Sequence, residues 1–140
     1  LNRTAAEIGV KYIVNACTDI TGFGLLGHVY EMAAGSGVNI KLEAAAVPFL
    51  TNAAEAASMG LVPGGSYTNR EYLKTVTISP NVPVNIQDLC FDPQTSGGLL
   101  LSVPRHDAEK LIRELHQAGV KHAAIIGEVI QRGKGEVYVY

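Results

Sequence analysis

Residues 92–98 read Asp-Pro-Gln-Thr-Ser-Gly-Gly and run directly into the leucines at 99–101, and this segment constrains the fold more than any other. Glycine and small polar residues at this density predict a tight turn, because glycine adopts backbone angles that a Cβ forbids. The apolar run behind the turn predicts a buried strand. A polar loop held at the end of a rigid strand is a typical place for binding or catalytic residues. We therefore predict a functional site at this end of the strand.

A second glycine-rich loop, within residues 18–28, has a helix behind it instead of a strand. From about Gly22 onward, apolar residues recur with the spacing of one helix face, and glycines at 35 and 37 predict the end of that helix. Two such loops in one small chain favour an anionic ligand, in particular a phosphorylated one, because free backbone N–H groups at glycine turns and helix starts attract negative charge.

The glycines at 22–27 also match G-x-G-x-x-G, the fingerprint of dinucleotide-binding folds. Asp19, Ile20 and Thr21 lie between the predicted strand and the first glycine, whereas the fingerprint normally follows its strand directly. The distal half of the chain does not repeat a βαβ unit. A dinucleotide site is therefore disfavoured relative to glycines that serve helix packing.

Asp19 has two interpretations from its position alone. One carboxylate at a strand end, beside helix-opening N–H groups, suits Mg²⁺, which is often held by one or two carboxylates together with phosphate oxygens. The alternative is that Asp19 caps the helix that begins near Gly22. Spacing alone leaves both interpretations open.

Length, composition and net charge restrict the number of domains, the partners and the cellular location that we expect. The 140 residues, 47% hydrophobic and 17% charged, indicate one globular domain. A net charge of −2 without clustered Lys and Arg argues against a nucleic-acid partner. No apolar run approaches the ~20 residues of a membrane span, and no signal peptide is visible. We therefore expect a cytoplasmic protein, and the absence of an initial Met leads us to expect a fragment or processed product.

The cysteines and histidines indicate no metal cluster of their own. Cys17 and Cys90 are far apart and lack a CxxC spacing, so we predict two buried, reduced thiols that serve packing. The four histidines show neither HxxxH nor HExxH, which disfavours a zinc site.

Hydrophobic periodicity predicts an α+β fold, a mixed β-sheet with packed helices. The predicted helices cover residues 1–9, 22–34, 49–59, 84–89 and 104–118. The predicted strands cover residues 12–17, 38–42, 98–103, 123–130 and 136–140, the last two forming a hairpin across a turn at 132–135. Residues 63–83, rich in proline and glycine, are expected to be irregular.

Three segments, residues 16–28, residues 62–65 with Asn69, and residues 90–101, together resemble the selenophosphate synthetase (selenide, water dikinase) family. They read Ala-Cys-Thr-Asp-Ile-Thr-Gly-Phe-Gly-Leu-Leu-Gly-His, Val-Pro-Gly-Gly, and Cys-Phe-Asp-Pro-Gln-Thr-Ser-Gly-Gly-Leu-Leu-Leu. The resemblance spans the chain and is to the carboxy-terminal domain, whose fold resembles that of aminoimidazole ribonucleotide synthetase.

The resemblance implies an enzyme that makes selenophosphate, AMP and phosphate from selenide, ATP and water. In the family, an amino-terminal domain that is absent here supplies the reactive Cys or selenocysteine, a catalytic Lys, most nucleotide contacts and most metal ligands. The resemblance thus implies no catalytic residue in this chain, an inactive isolated fragment, Mg²⁺ and ATP as cofactors, and a homodimer of the full-length protein. Asp19 matches a family metal ligand, which favours its metal-binding interpretation.

The resemblance also places the loop at residues 92–98 at the same cleft. Thr95, Ser96, Gly97 and Gly98 are then candidates for phosphate or anion contact through N–H groups and hydroxyls. The alternative is a tight turn whose glycines only let two elements touch. Asp92 and Asn69 are predicted mainly to brace loops, with a ligand contact as the less favoured role for each, and His28 is assigned no chemistry.

Two other functions stay open from the sequence. The chain could belong to another ATP-dependent small-molecule synthetase or kinase of the same fold. It could instead be a non-catalytic binding or assembly module whose glycine loops serve packing alone.

Overall fold

Helices and strands alternate irregularly along the chain, and the computed structural model describes all of residues 1–140. The helices are α1 (Arg3–Gly9), α2 (Gly24–Ser36), α3 (Ala53–Ser58), α4 (Gly64–Tyr72), α5 (Val84–Cys90) and α6 (Arg105–Gln117). The strands are β1 (Ala16–Asp19), β2 (Val38–Leu42), β3 (Val76–Ile78), β4 (Leu99–Ser102), β5 (Gly127–Arg132) and β6 (Val137–Val139). None of the helices combines the length and the apolar character needed to cross a membrane.

The strands form two separate sheets. Four of them make a mixed sheet in the order β3-β6-β2-β5, in which β6 runs parallel to both of its neighbours and β5 runs antiparallel to β2. The other two, β1 and β4, form an antiparallel ribbon. The predicted α+β fold with a mixed sheet is confirmed.

The predicted hairpin of the last two strands is wrong, because β2 lies between β5 and β6. Burial fits this arrangement: Val137 and Val139 share one face of β6, and in the centre of the sheet both pack in the core with α2 and are almost completely buried. The connection is fastened to β2 by Asn39, whose side chain donates to the Glu136 carboxylate over 2.7 Å and accepts from the Glu136 N–H over 3.1 Å.

Residues 63–83 were expected to be irregular, and this prediction is also wrong, since they contain α4 and β3. Pro63 is the N-cap of α4 and the two glycines occupy its first turn. Proline and glycine are tolerated there because the first N–H groups of a helix have no intrahelical partner. The proline and glycine content therefore predicted no helix here, although these residues lie only at the start of α4, where they do not disrupt it.

Other boundaries moved by a few residues. The helix predicted over 49–59 is shortened to α3 because Asn52 adopts a left-handed conformation with φ of 65°. The first strand begins at Ala16 instead of residue 12 and ends at Asp19, next to the first glycine loop. By contrast, β2 has the predicted bounds, and α2 ends where Gly37 adopts φ of 62°, as a C′ glycine commonly does.

The main core lies between α2 and the four-stranded sheet. Leu26, Val29 and Ala33, spaced along one face of α2, are buried against valines of β6 and residues of β2. A smaller cluster forms where α1 packs on α6, through Ile8, Leu111 and Leu115. The position of α2 on the sheet fixes its first turn beside the end of β1.

We expect Leu26→Ala to destabilise the protein by about 2–5 kcal/mol, because its side chain is fully buried and the truncation leaves a cavity. The matched control is Leu61→Ala, at a residue that is 68% exposed, which should change stability by less than about 0.5 kcal/mol. Urea unfolding of both variants measures the difference. Equal effects would contradict the described position of α2 in the core.

Candidate functional site

The antiparallel pairing of β1 with β4 brings the two glycine-rich loops to one end of the ribbon. Asp19, the last residue of β1, faces Leu99, the first residue of β4. The segment that follows β1 (residues 19–24, here the first loop) therefore lies beside the segment that precedes β4 (residues 91–98, here the second loop). The two loops that the sequence singled out form one site region.

Backbone hydrogen bonds join the two loops directly. The Gln94 N–H donates to the Thr21 carbonyl over 3.0 Å, and the Gly97 N–H donates to the Ile20 carbonyl over 2.8 Å. In the opposite direction, the Ile20 N–H donates to the Gly98 carbonyl over 3.0 Å. Each loop therefore fixes the conformation of the other.

Glycine is required at two of the contacts between the loops. A Cβ on Gly97 would lie 2.7 Å from the Ile20 carbonyl oxygen. Gly24 has φ of +68°, and a Cβ there would lie 2.6 Å from the Phe91 carbonyl carbon. Side chains at these positions would push the loops apart, whereas a Cβ on Gly98 would meet nothing within 4 Å.

Asn69 of α4 joins both loops from one side. Its buried side-chain amide donates to the Gly22 carbonyl over 3.0 Å and to the Phe91 carbonyl over 2.9 Å. The prediction that Asn69 braces loops is confirmed. It is the only side chain of the chain that hydrogen-bonds to both loops.

Asp92 is held inside the second loop. One carboxylate oxygen accepts from Ser66 Oγ over 3.4 Å and the other accepts from Gln94 Nε2 over 2.5 Å. Both oxygens are thus engaged within the chain, and the predicted bracing role is confirmed. Ser66 of α4 was missed at the sequence level, although it follows the two glycines of the Val-Pro-Gly-Gly segment directly.

The carboxylate of Asp19 is free for a ligand. Asp19 is exposed, and its side chain forms no hydrogen bond or ion pair within the chain. It does not cap α2, whose N-cap position is Phe23 and has no side-chain capping bond. The capping interpretation of Asp19 is therefore wrong.

A magnesium ion fits Asp19 as one ligand among several. No group of three or more His, Cys, Asp or Glu residues in the chain is arranged to hold a metal. Mg²⁺ is commonly held by one or two carboxylates, with water and phosphate oxygens completing the shell. The metal-binding role of Asp19 stays a prediction, and it requires further ligands from substrate, water or another domain.

Both loops present unused backbone N–H groups. In the second loop, the N–H groups of Thr95, Ser96 and Gly98 donate to no atom of the chain, whereas that of Gly97 is engaged by Ile20. At the first loop, the N–H of Leu25 in the opening turn of α2 is also unused, as are those of Gly22 and Phe23. Free N–H groups at the start of a 13-residue helix favour a negative charge nearby.

His28 supports the first loop from within α2. Its buried ring places Nε2 3.1 Å from Thr21 Oγ1. Its Nδ1 lies 2.9 Å from a Glu31 carboxylate oxygen, without the alignment of a hydrogen bond. His28 therefore contacts the first loop through Thr21, whereas its Nδ1 is buried without a hydrogen-bond partner.

The cysteines differ in exposure. Both are free thiols, as predicted, but only Cys90 is buried; the prediction that Cys17 is buried is wrong. Cys17 and Asp19 lie two residues apart on β1, so their side chains share the exposed face of the strand. Burial raises the pKa of the Cys90 thiol to about 12. Partial desolvation, and secondarily the Asp19 charge, raise the pKa of the Cys17 thiol.

Comparison with known proteins identifies the family. The family model described as "AIR synthase related protein, C-terminal domain" matches residues 1–140. The chain belongs to this family. This result confirms the predicted fold, and the similarity to proteins named "Selenide, water dikinase" confirms the resemblance inferred from the three segments.

Proteins named "Selenide, water dikinase" are similar to this AIR synthase related domain over nearly its whole length. The protein of Treponema denticola is 52% identical over 136 residues, covering 94% of this chain and 38% of the relative. That of Caldanaerobacter subterraneus subsp. tengcongensis is 49% identical over 139 residues, covering 99% of this chain and 40% of the relative. The chain thus spans about two fifths of the length of the curated relatives it matches.

Among solved structures, HypE from E. coli has the same fold. It superimposes with a TM-score of 0.66 over 97% of this chain and 34% of its own, at 23% sequence identity. At this identity the likeness supports the AIR synthase related fold and no specific activity.

We expect Gly97→Ala to destabilise the protein by about 1–3 kcal/mol, because the added methyl group must displace the Ile20 carbonyl. Gly98→Ala is the matched control one residue away, where the methyl group meets open space, and it should change stability by less than about 0.5 kcal/mol. Urea unfolding of both variants measures the difference. Equal stabilities would contradict the close contact between the loops.

A thiol reagent should label Cys17 in the folded protein and Cys90 only after unfolding, because the first is exposed and the second is buried. Asp19→Asn should speed the labelling of Cys17 at a fixed pH below the thiol pKa. The substitution removes the negative charge that raises this pKa, so the reactive thiolate becomes more abundant. An unchanged rate would show that the Asp19 carboxylate does not act on the Cys17 thiol.

Proposed function

We propose that this chain is the carboxy-terminal domain of an ATP-dependent enzyme that converts selenide, ATP and water into selenophosphate, AMP and phosphate. The observation that carries the proposal is the similarity, at 48–52% identity, to several proteins named selenide, water dikinase. The meeting of the two glycine loops supports it, because they combine a free carboxylate with free N–H groups.

In the proposed enzyme, this domain completes a site that another domain mainly builds. The reaction breaks two anhydride bonds of ATP and therefore concentrates negative charge. Asp19 would contribute one carboxylate to a magnesium ion, and the bound ion would offset charge on the phosphate oxygens. No group in the chain is assigned as the nucleophile, and we expect the isolated domain to be inactive.

The second loop would contact the phosphate or another small anion. The unused N–H groups of Thr95, Ser96 and Gly98 are the donors available for it, together with the hydroxyls of the first two. Gly97 would act through its close contact with Ile20, because its N–H is already engaged. Neutral N–H donors suit an anion that must leave again, since they add no full opposite charge.

The proposal extends to the cellular setting of the full-length protein. We expect an amino-terminal domain that carries the reactive Cys or selenocysteine and most nucleotide contacts. We further expect a cytoplasmic homodimer that takes ATP and selenide as substrates and has neither a nucleic-acid nor a membrane partner.

In the full-length protein, Asp19→Asn should lower selenide-dependent AMP formation at limiting Mg²⁺, and added Mg²⁺ should restore part of it. Removal of even the outer partners of metal ligands commonly costs about 10–100-fold, so we expect a loss of at least about tenfold. Glu55→Gln, which removes an exposed carboxylate on α3, is the control and should leave activity unchanged.

The outcomes separate the parts of this proposal. Full activity of Asp19→Asn at every Mg²⁺ concentration would remove Asp19 from the metal site. A wild-type protein that forms AMP without any dependence on selenide would overturn the proposed reaction, while the family and the fold would stand.

A further inference from the structure

We propose that Asn69 is a positioning residue, which holds the two glycine loops in the arrangement that the proposed site requires; this inference rests on the proposed function. The side chain lies in α4, outside both loops, and is only 8% exposed. It is therefore placed to act on a ligand through the loops and not by contact.

The side-chain amide of Asn69 uses both of its N–H groups to hold the two loops. Nδ2 donates to the Gly22 carbonyl and to the Phe91 carbonyl, at 3.0 and 2.9 Å. These acceptors lie on opposite sides of Asn69 in the sequence, one in each loop. A single planar group with two donors thus sets the separation of two backbone segments.

Holding the Gly22 carbonyl also orients an unused donor of the first loop. The Gly22 carbonyl and the Phe23 N–H belong to one planar peptide unit, and that N–H donates to no atom of the chain. Fixing the carbonyl on one side therefore fixes the direction of a free N–H on the other. In the second loop, the peptide unit after Phe91 is held at both ends, since the Asp92 N–H donates to the Leu89 carbonyl.

The two loops are packed closely where Asn69 joins them. A Cβ on Gly24 would lie 2.6 Å from the Phe91 carbonyl carbon, so the backbones of the two loops are in direct contact. The neighbouring α4 residues reinforce this contact. The Ser66 hydroxyl donates to the Asp92 carboxylate, and Gly65 lies so close to the Pro93 ring that an added Cβ would be 3.0 Å from Pro93 Cγ. The segment around Val-Pro-Gly-Gly thus serves as the support of the other two motifs.

The chemistry of the side chain is specific to an amide. Asn69→Asp keeps the size and shape but replaces the donating nitrogen with an oxygen that faces two carbonyl oxygens. Asn69→Ala removes the donor without adding repulsion. Burial of a carboxylate is costly whatever Asn69 does, so the alanine variant isolates the loss of the two hydrogen bonds, and the aspartate variant adds repulsion from the two carbonyl oxygens.

The test uses the full-length protein with Asn69→Asp, Asn69→Ala and the control Asn85→Ala. Asn85 is a comparable partly buried amide on α5, whose Nδ2 donates over 2.9 Å to the Ala54 carbonyl, away from both loops. Amide hydrogen exchange at Gln94 and Gly97 reports the bonds between the loops. Selenide-dependent AMP formation across Mg²⁺ concentrations reports the site.

We expect both Asn69 variants to speed exchange at Gln94 and Gly97 while amides of β2 keep their protection. We also expect the Mg²⁺ concentration for half-maximal rate to rise about tenfold or more, with the aspartate variant worse than the alanine variant. Asn85→Ala should change neither readout. A loss of folded protein alone would lower the maximal rate without moving the Mg²⁺ dependence.

Unchanged exchange at the Gln94 and Gly97 amides in both variants would show that Asn69 does not hold the loops together. Faster exchange with an unmoved Mg²⁺ dependence would overturn the positioning role. If the aspartate variant does not fold, the alanine variant decides both points against its control. A wild-type protein without selenide-dependent AMP formation would overturn the proposed reaction only, and the exchange measurement would still decide whether Asn69 joins the loops.

Discussion

The antiparallel pairing of β1 with β4 is the constraint on which the site depends. It places the end of one strand beside the start of another, and the loops that follow and precede them therefore meet. Backbone bonds between Ile20 and the glycines at 97 and 98 continue this pairing beyond the strands. Because backbone groups make these contacts, their geometry depends on close approach, and glycine is the residue that permits it. Gly24 and Gly97 are thus explained by contact between the loops.

A division of roles among the three motifs follows from this contact. The first and second loops expose a carboxylate and free N–H groups, whereas α4 supports both loops through two buried polar side chains. Asn69 and Ser66 are buried polar groups with their partners supplied by the loops. A buried amide that lacked these partners would be costly, so the loops and α4 stabilise one another. The site is therefore a unit of three segments that are distant in the sequence.

The sequence was most informative where local chemistry decides the structure. Strand β2, the end of α2 at Gly37 and the bracing role of Asn69 could be predicted because periodicity, a left-handed glycine and an amide beside polar loops each act locally. The exposure of Cys17, the place of β6 in the sheet and the helix after Pro63 could not. Each of these three features depends on contacts with segments that are distant in the sequence, and a single sequence does not show which distant segments pack together. Asp19 was predictable only in part. Its residue type made it a candidate metal ligand, but the fold was needed to show that its carboxylate has no partner within the chain.

The position of β6 has a consequence for how the chain acquires its structure. Both neighbours of β6, the strands β2 and β3, precede it in the chain, yet β6 fills the place between them. β2 and β3 each pair with β6 and not with each other, so they cannot belong to one sheet until residues 137–139 have been synthesised. Val137 and Val139, which pack in the core with α2, are also missing until then. The ribbon of β1 and β4 carries no such requirement. Both strands of that ribbon, and with them both loops of the site, are synthesised before the central strand of the larger sheet.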